Sequence, residues 1–416
     1  MSFGTLLVIV LAGLGGPLLG LSGRWFVPVV VGEILAGVIV GTTGLQTVDP
    51  SDPTVAFLGQ IGFAMLMLTV GMHLPLRDPR LAKSMRGGVV LAAIVGVLAA
   101  PAGIAAAAIA GTSHAAIYAV VLASGSAAVL LPALTEAKVF SRDSLAVMAQ
   151  VTVADVVTIV SVPIVLQPAR TVHALMGAAL VTAAVVLLYG AARLLAGHAW
   201  VDHVRRRSKQ RSWALDLRLS LLVLFGLAWI AERSGTSVLV AGFGAGVTIA
   251  LIGGPKRLST QMRGVADGFF VPLYFVILGA QLDLRGLVKH PSMLALAGAL
   301  AALNVLIHLA ASTLTRRPPS AGLAASAQLG VPAAVASLGL AEGVLSNAIA
   351  TAIVAAAVVS LGVCTLGVDR LVAREAGNAS GDGSGKTPSG SPRPPAGSSG
   401  AIRQPGLPCS DLPAPT

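Results

Sequence analysis

Apolar stretches of about twenty residues recur along most of this chain, each close to the length that crosses a ~30 Å hydrocarbon layer. In lipid the backbone must satisfy its own hydrogen bonds, so such segments fold as helices. Of the 416 residues, 55% are hydrophobic and 11% charged, where a soluble domain carries about 25% charged residues. The expected fold is therefore an all-α polytopic membrane protein. Its first stretch, "TLLVIVLAGLGGPLLGLSG", has neither a basic leader nor a clear cleavage site and reads as a retained span.

Thirteen segments qualify: 3–21, 27–45, 54–74, 88–111, 115–136, 143–166, 171–195, 214–231, 236–253, 264–282, 292–314, 320–340 and 344–369. With the N-terminus outside, eighteen basic residues fall in cytoplasmic loops. They are Arg24; Arg77, Arg80, Lys83 and Arg86; Lys138 and Arg142; Arg193 with the five in 205–211; Lys256, Arg257 and Arg263; and Arg316 with Arg317. The outer loops hold four: Arg170, Arg233, Arg285 and Lys289. This asymmetry is what the positive-inside rule requires. It also explains the net charge of +11 and the "RRRSKQR" run at 205–211 without nucleic acid.

Thirteen spans parse as six, one and six, the pattern of two inverted repeats joined by a linker helix. The expected division is a first repeat over 1–166, a linker helix over 171–195, a basic cytoplasmic loop over 196–213, and a second repeat over 214–370. Residues 371–416 are expected to form a disordered cytoplasmic tail, since the chain turns rich in Gly, Ser and Pro from Gly377. The fifth span of each half carries an interruption: Ser124-Gly125-Ser126 with Pro132 in one, Gln328, Gly330 and Pro332 in the other. Breaks at matching places in two halves point to discontinuous helices at a midplane site. Small residues that pack helices together are the plainer explanation of the same motifs.

Asp155 lies inside span six, in "QVTVADVVTI", with no basic residue nearby in sequence. A carboxylate at the centre of a spanning helix costs about 2.5–3.5 kcal/mol on insertion scales, and such residues mark ion or substrate pathways. At about 100° per residue, Thr152 and Thr158 lie within roughly 60° of it on one helix face. Unwound backbone at Ser124, Gly125 and Ser126 would add carbonyl and hydroxyl oxygens, hard ligands suited to Na+ or K+. Desolvation favours the neutral forms of a carboxylate, so a proton and a cation compete for Asp155. The plainer alternative is an aspartate that hydrogen-bonds a neighbouring helix and transports nothing.

Other polar residues at depth are read as pathway or supporting groups. Glu33 either lines an access funnel or pairs with an arginine; Asn304 and His308 share a face of span eleven and either flank the site or bond between helices. Asp267, Glu136, Glu232 and Glu342 fall near helix ends and call for no special role. Cys364 and Cys409 make no disulfide framework, and no phosphate-binding loop supports ATP-driven transport. No cofactor or enzymatic activity is expected.

Taken in order, "PVVVGEILAGVIVG", "IGFAMLMLTVGMHL", "ASGSAAVLLPAL", "VTVADVVTIVSVPIVL", "SGTSVLVAGFGAGV" and "FFVPLYFVILGAQLDL" resemble the monovalent cation/proton antiporter family of Kef-type sodium/hydrogen exchangers. The resemblance runs over about residues 5–370. It implies two crossed discontinuous helices, a scaffold and a core that move like an elevator, a homodimer, and an ion-binding aspartate where Asp155 stands. The chain departs from the family pattern at three places: Ala154 precedes the aspartate, Asn304 stands where relatives often carry lysine, and Gln328-Leu329-Gly330-Val331 replaces a basic-Gly-acidic motif. The first two departures favour electroneutral exchange. The expected function is exchange of Na+ or K+ for protons across a plasma membrane of bacterial type. The alternatives are an exporter of a larger cation-bound solute such as an ionophore, or a channel-like or regulatory member that has lost coupling.

Overall fold

The computed structural model describes residues 2–20, 29–73, 79–136, 141–168, 171–195, 198–211, 213–234, 237–253 and 256–382. The expected loop residues Arg24, Arg77, Lys138 and Arg170 lie outside them, as do residues 383–416. Among the described residues there is no strand. The helices in chain order are α1 (Phe3–Gly13), α2 (Gly15–Gly20), α3 (Val29–Val40), α4 (Pro53–His73), α5 (Pro79–Ala110), α6 (Ala115–Ala123) and α7 (Ala127–Glu136). They continue with α8 (Arg142–Leu166), α9 (Thr171–Leu195), α10 (Ala199–Gln210), α11 (Leu215–Arg233), α12 (Val238–Ile252) and α13 (Lys256–Val265). A π-helical turn, Ala266–Phe270, leads into α14 (Val271–Gln281), then α15 (Leu284–Lys289), α16 (Pro291–Leu314), α17 (Pro319–Ala325), α18 (Gly330–Ala341) and α19 (Asn347–Asp382).

Each of the thirteen apolar segments is helical, and eight helical stretches are long and apolar enough to cross a membrane, with four shorter apolar ones beside them. Segment 214–231 is α11, whose Asp216, Arg218, Glu232 and Arg233 crowd its two ends. Local chemistry sets several boundaries. Ser141 caps α8 by accepting from the Ser144 amide at 3.2 Å, and Gly253 closes α12 at φ 70°, a left-handed conformation that glycine adopts without strain.

Two expectations are corrected here. The basic loop expected over 196–213 contains α10, because Val201, Val204 and Ser208 recur on one face and turn inward while His203, Arg206, Arg207 and Gln210 face out. Ser208 also accepts a hydrogen bond from the Leu215 amide, 3.2 Å, tying α10 to the start of α11. Of the tail expected over 371–416, residues 371–382 are helical, since α19 continues to Asp382 through the helix formers Leu371, Ala373, Arg374 and Glu375. Residues 1–375 form one compact unit; of the second unit, 376–416, residues 376–382 are described and are helical.

Within the first unit the helices pack as two groups. One comprises α1–α4, α9 and α11–α14; the other is built on α5–α8 and α16–α18. The first group is held by two backbone contacts of the same form. Gly37 of α3 sits on the Val276 carbonyl of α14, and Gly279 sits on that of Ile34. Likewise Gly246 of α12 sits on the Leu68 carbonyl of α4, and Gly71 on that of Phe243. Each glycine thus meets the carbonyl three residues before the glycine facing it, and a Cβ at any of the four would collide with backbone.

Substituting Gly71→Val or Gly279→Val should destabilise the protein by about 1–3 kcal/mol through overpacking. Gly298→Ala, where a Cβ meets open space, should be neutral or stabilising by up to about 1 kcal/mol. Thermal unfolding of the detergent-solubilised protein checks both signs.

Candidate functional site

α6 and α7 are one apolar segment broken at Ser124–Ser126. Ser124 takes an extended backbone, φ −75° and ψ 158°, which ends α6 at Ala123. Its hydroxyl donates to the Val121 carbonyl, 2.7 Å, competing with continued helix. Gly125 lies flat against α8, where an added Cβ would come 2.9 Å from Cγ1 of Val151. Helix resumes at Ala127, leaving its amide without an intrahelical acceptor.

Asp155 fills that vacancy. Its Oδ2 accepts from the Ala127 amide at 2.8 Å, with the residue 2% exposed. The carboxylate thereby sits at the N-terminal end of α7, where the helix dipole favours negative charge. Among the described residues no lysine or arginine pairs with it. Thr152 and Thr158 are buried on the same helix. Their hydroxyls donate to the Met148 and Ala154 carbonyls at 2.7 and 2.6 Å, which spends both protons within α8 and leaves the oxygens as acceptors only.

The second break repeats this construction. Ser326 donates to the Leu323 carbonyl at 2.7 Å as α17 ends, and α18 begins at Gly330. Between them Gln328 reaches across to the first break, donating from Nε2 to the Val121 carbonyl at 2.6 Å and to Oδ1 of Asn304 at 3.0 Å. Asn304 Nδ2 in turn donates to the Ser326 carbonyl at 2.8 Å, and Nδ1 of His308 lies 2.8 Å from the Asn304 carbonyl. The Gln328 amide N–H donates to Oγ of Ser360, 3.2 Å, on α19. The Val121 carbonyl therefore receives Ser124 N–H, Ser124 Oγ–H and Gln328 Nε2–H together.

Of the residues singled out in sequence, Ser124, Gly125, Ser126, Thr152, Asp155 and Thr158 gather at the first break and α8. Asn304, His308 and Gln328 belong to the second break and tie it to the first. Glu33 lies elsewhere, on α3 in the other helix group, buried against α2 with Oε2 lacking any hydrogen-bond partner. Val121, Ala127 and Ser326 escaped sequence reading because each acts through a backbone group, whose role depends on where the helix breaks. Tyr274 was missed as well. Its buried hydroxyl crosses from α14 to α18, donating to the Ala333 carbonyl at 3.1 Å and lying 2.9 Å from Oγ of Ser337. Nothing in "FVPLYFV" distinguishes that tyrosine from a packing residue.

Asn304→Ala and Gln328→Ala should each cost about 1–3 kcal/mol by stranding buried polar partners. The double variant should lose less than the sum, with a coupling of about 0.5–3 kcal/mol. Thermal unfolding of the four proteins measures it, and additive losses would show that the two amides act separately.

Comparison with known proteins gives a consistent pattern. The profile of the family described as sodium/hydrogen exchanger, transmembrane, matches residues 6–374. YjbQ of Bacillus subtilis, provisionally named an Na(+)/H(+) antiporter, is 23% identical over 318 residues, 70% of this chain and 50% of that protein. The glutathione-regulated potassium-efflux system protein KefC of Salmonella typhi is 27% identical over 299 residues, 68% of this chain and 46% of that protein. The chain spans about half the length of these two relatives. The solved sodium proton antiporter MjNhaP1 from Methanocaldococcus jannaschii, at pH 8, superposes with a TM-score of 0.59 at 18% identity, over 91% of this chain and 97% of that one. That last likeness is one of fold.

Proposed function

Because the chain belongs to the transmembrane sodium/hydrogen exchanger family, we propose that it is a secondary antiporter exchanging a monovalent cation, Na+ or K+, for H+ at Asp155. The observation that carries this reading is a buried carboxylate with no basic partner among the described residues, seated at a helix break. An uncompensated charge is costly to move through a low-dielectric layer. The loaded site, protonated or cation-bound, is neutral and moves; the empty site stays. Exchange is then obligatory, because nothing crosses without one partner or the other.

The ligands proposed for the cation are Asp155 with oxygens of Thr152, Ser124, Gly125 and Ser126. Ala154 in place of a second carboxylate, and Asn304 in place of a lysine, leave a single carboxylate and no lysine at the site. One proton then replaces one cation, and the membrane potential of about 2.3 kcal/mol per charge per 100 mV does no net work on the cycle. Thr158, Asn304, His308 and Gln328 act as supporting groups, and Glu33 as a pathway group in the other helix group.

The same reading takes the thirteen helical segments as thirteen crossings of a plasma membrane, N-terminus outside and C-terminus cytoplasmic, in a homodimer. Two inverted repeats are supported by the equivalent glycine contacts, in which α3 on α14 corresponds to α12 on α4. The two helix groups slide past each other for alternating access.

In everted vesicles with a pH-sensitive dye, addition of Na+, K+ and Li+ in turn should give saturable, cation-dependent dequenching for at least one ion. Asp155→Asn should abolish it. Acidification should raise the half-saturating cation concentration, since protons compete for the same carboxylate, and an imposed potential should leave the rate unchanged. Dequenching that survives Asp155→Asn, or that tracks potential without saturating, would refute antiport at this residue.

A further inference from the structure

α10 joins α9 to α11, and both of its ends are fixed. At its start the His198 amide donates to the Leu195 carbonyl at 3.2 Å, and the Val201 amide to that of His198 at 3.0 Å, so α10 follows closely on α9. At its end the Trp213 amide donates to the Ser208 carbonyl at 3.1 Å, and the Leu215 amide to Ser208 Oγ at 3.2 Å. Between them Ala214 takes a left-handed backbone, φ 50° and ψ 37°, a conformation that an alanine holds only where its surroundings impose it. These bonds fold the first residue of α11 back beside Ser208. A helix of twelve residues is about 18 Å long, so an upright α10 would carry Ser208 that far from the end of α9. α9 and α11 instead pack against each other, and α10 lies along the level at which both leave the apolar layer.

That level is the headgroup layer. Apolar side chains are exposed up to both ends of α10: Leu194 and Leu195 close α9, and Leu219 and Leu222 lie near the start of α11. Trp213, 43% exposed, stands beside the start of α11, and Trp229, 59% exposed, near its end. Each has a guanidinium 5.6 Å from its ring centroid, Arg211 over one and Arg233 over the other. Tryptophan gathers at the two membrane–water interfaces, where the ring meets lipid and the N–H meets water. At the Trp213 end positive charge is concentrated. Residues 193–218 hold seven basic side chains and two acidic ones, Asp202 and Asp216. Arg193, Arg206, Arg207, Arg211 and Arg218 are exposed, while Val201, Val204 and Ser208 turn the other face of α10 inward. Setting the topology needs only a count of charges near a span; it does not require them on one face of a helix fixed at both ends.

We propose that the exposed face of α10, with Arg211 and Trp213 at its corner, is a binding surface for the headgroups of anionic phospholipids in the adjoining leaflet. This stands apart from ion exchange and rests on α9 and α11 crossing the membrane. A guanidinium takes two oxygens of one phosphodiester in parallel hydrogen bonds. An arginine at the surface of an anionic leaflet gains an attraction that falls off within a Debye length. A zwitterionic lipid carries its own ammonium beside the phosphate, which the guanidinium charge repels. The occupant is a lipid and not a soluble phosphate because the patch stands between two lipid-exposed helices. Its acyl chains lie along Leu194, Leu195 and Leu219, and its phosphate meets Arg206, Arg207 and Arg211.

The test uses the full chain with Trp213 as its one tryptophan (Trp25→Phe, Trp200→Phe and Trp229→Phe), reconstituted in phosphatidylcholine vesicles. Brominated phosphatidylglycerol should quench Trp213 at least about threefold more effectively per mole than brominated phosphatidylcholine, and added salt should narrow the difference. Arg206→Gln/Arg207→Gln/Arg211→Gln should bring the two lipids level. Arg142→Gln/Arg263→Gln/Arg316→Gln, which removes three exposed arginines elsewhere, should keep the preference. Thermal unfolding of the detergent-solubilised protein with its native tryptophans gives a second measurement. Dioctanoylphosphatidylglycerol should raise Tm where dioctanoylphosphatidylcholine and inorganic phosphate do not, and the α10 variant should need at least about tenfold more of it. Equal quenching by the two lipids, an undiminished preference in the α10 variant, or an equal loss in the control variant would overturn the proposal. Protection by inorganic phosphate matching that by the lipid would overturn it as well.

Discussion

Breaking a helix inside a membrane protein strands backbone groups that lipid cannot satisfy, and the whole candidate site follows from how two of them are met. The break at Ser124–Ser126 leaves a carbonyl at Val121 and an amide at Ala127. The carbonyl is met by Ser124 itself and by Gln328 from the other broken segment; the amide is met by Asp155 from α8. One donor and one acceptor, opened by the same interruption, thus bring three segments to a point. Removing the break would remove the reason for Asp155 to be there, and removing Asp155 would leave a buried amide unpaired.

The chemistry at that point is sparse in charge. The Asn304–Gln328–Val121 chain joins the two breaks with amides, so the crossing carries no fixed positive charge of its own. An amide satisfies a helix-end carbonyl as a lysine would, but without an ammonium to compete with an incoming cation. Under the proposed exchange this leaves Asp155 as the one group whose charge changes through the cycle. Neutral amide and hydroxyl hydrogen bonds join the two breaks, and among the described residues Asp155 is the carboxylate they hold in place, the one the cargo must neutralise.

The two helix groups differ in what binds them internally. In the first, glycines bring backbones of α3 and α14, and of α4 and α12, into direct contact, so those pairs cannot shift without opening voids or clashes. The second is knitted by buried side-chain amides and hydroxyls around the breaks. Where the groups meet there is instead a cavity, with the Tyr274 hydroxyl reaching across. Under the proposed exchange, close backbone contacts within the first group and a cavity at the seam are the mechanical condition that sliding requires.

Much of this was legible in the order of residues. Helical segments, their approximate ends and both interruptions follow from apolar length and from Gly and Pro placed within apolar runs, and Asp155 stands out through the cost of a carboxylate in lipid. These are local properties, decided within one segment. Tertiary structure alone decided which groups meet. That Gln328 reaches the Val121 carbonyl, that Asp155 receives the Ala127 amide, and that Glu33 stands in the other group are long-range facts that no spacing encodes. Arg206, Arg207 and Arg211 read as topogenic charges until the corner at Ser208 folds α11 back beside their helix, because where a patch faces depends on the contacts at both ends of its helix and on neither sequence segment by itself.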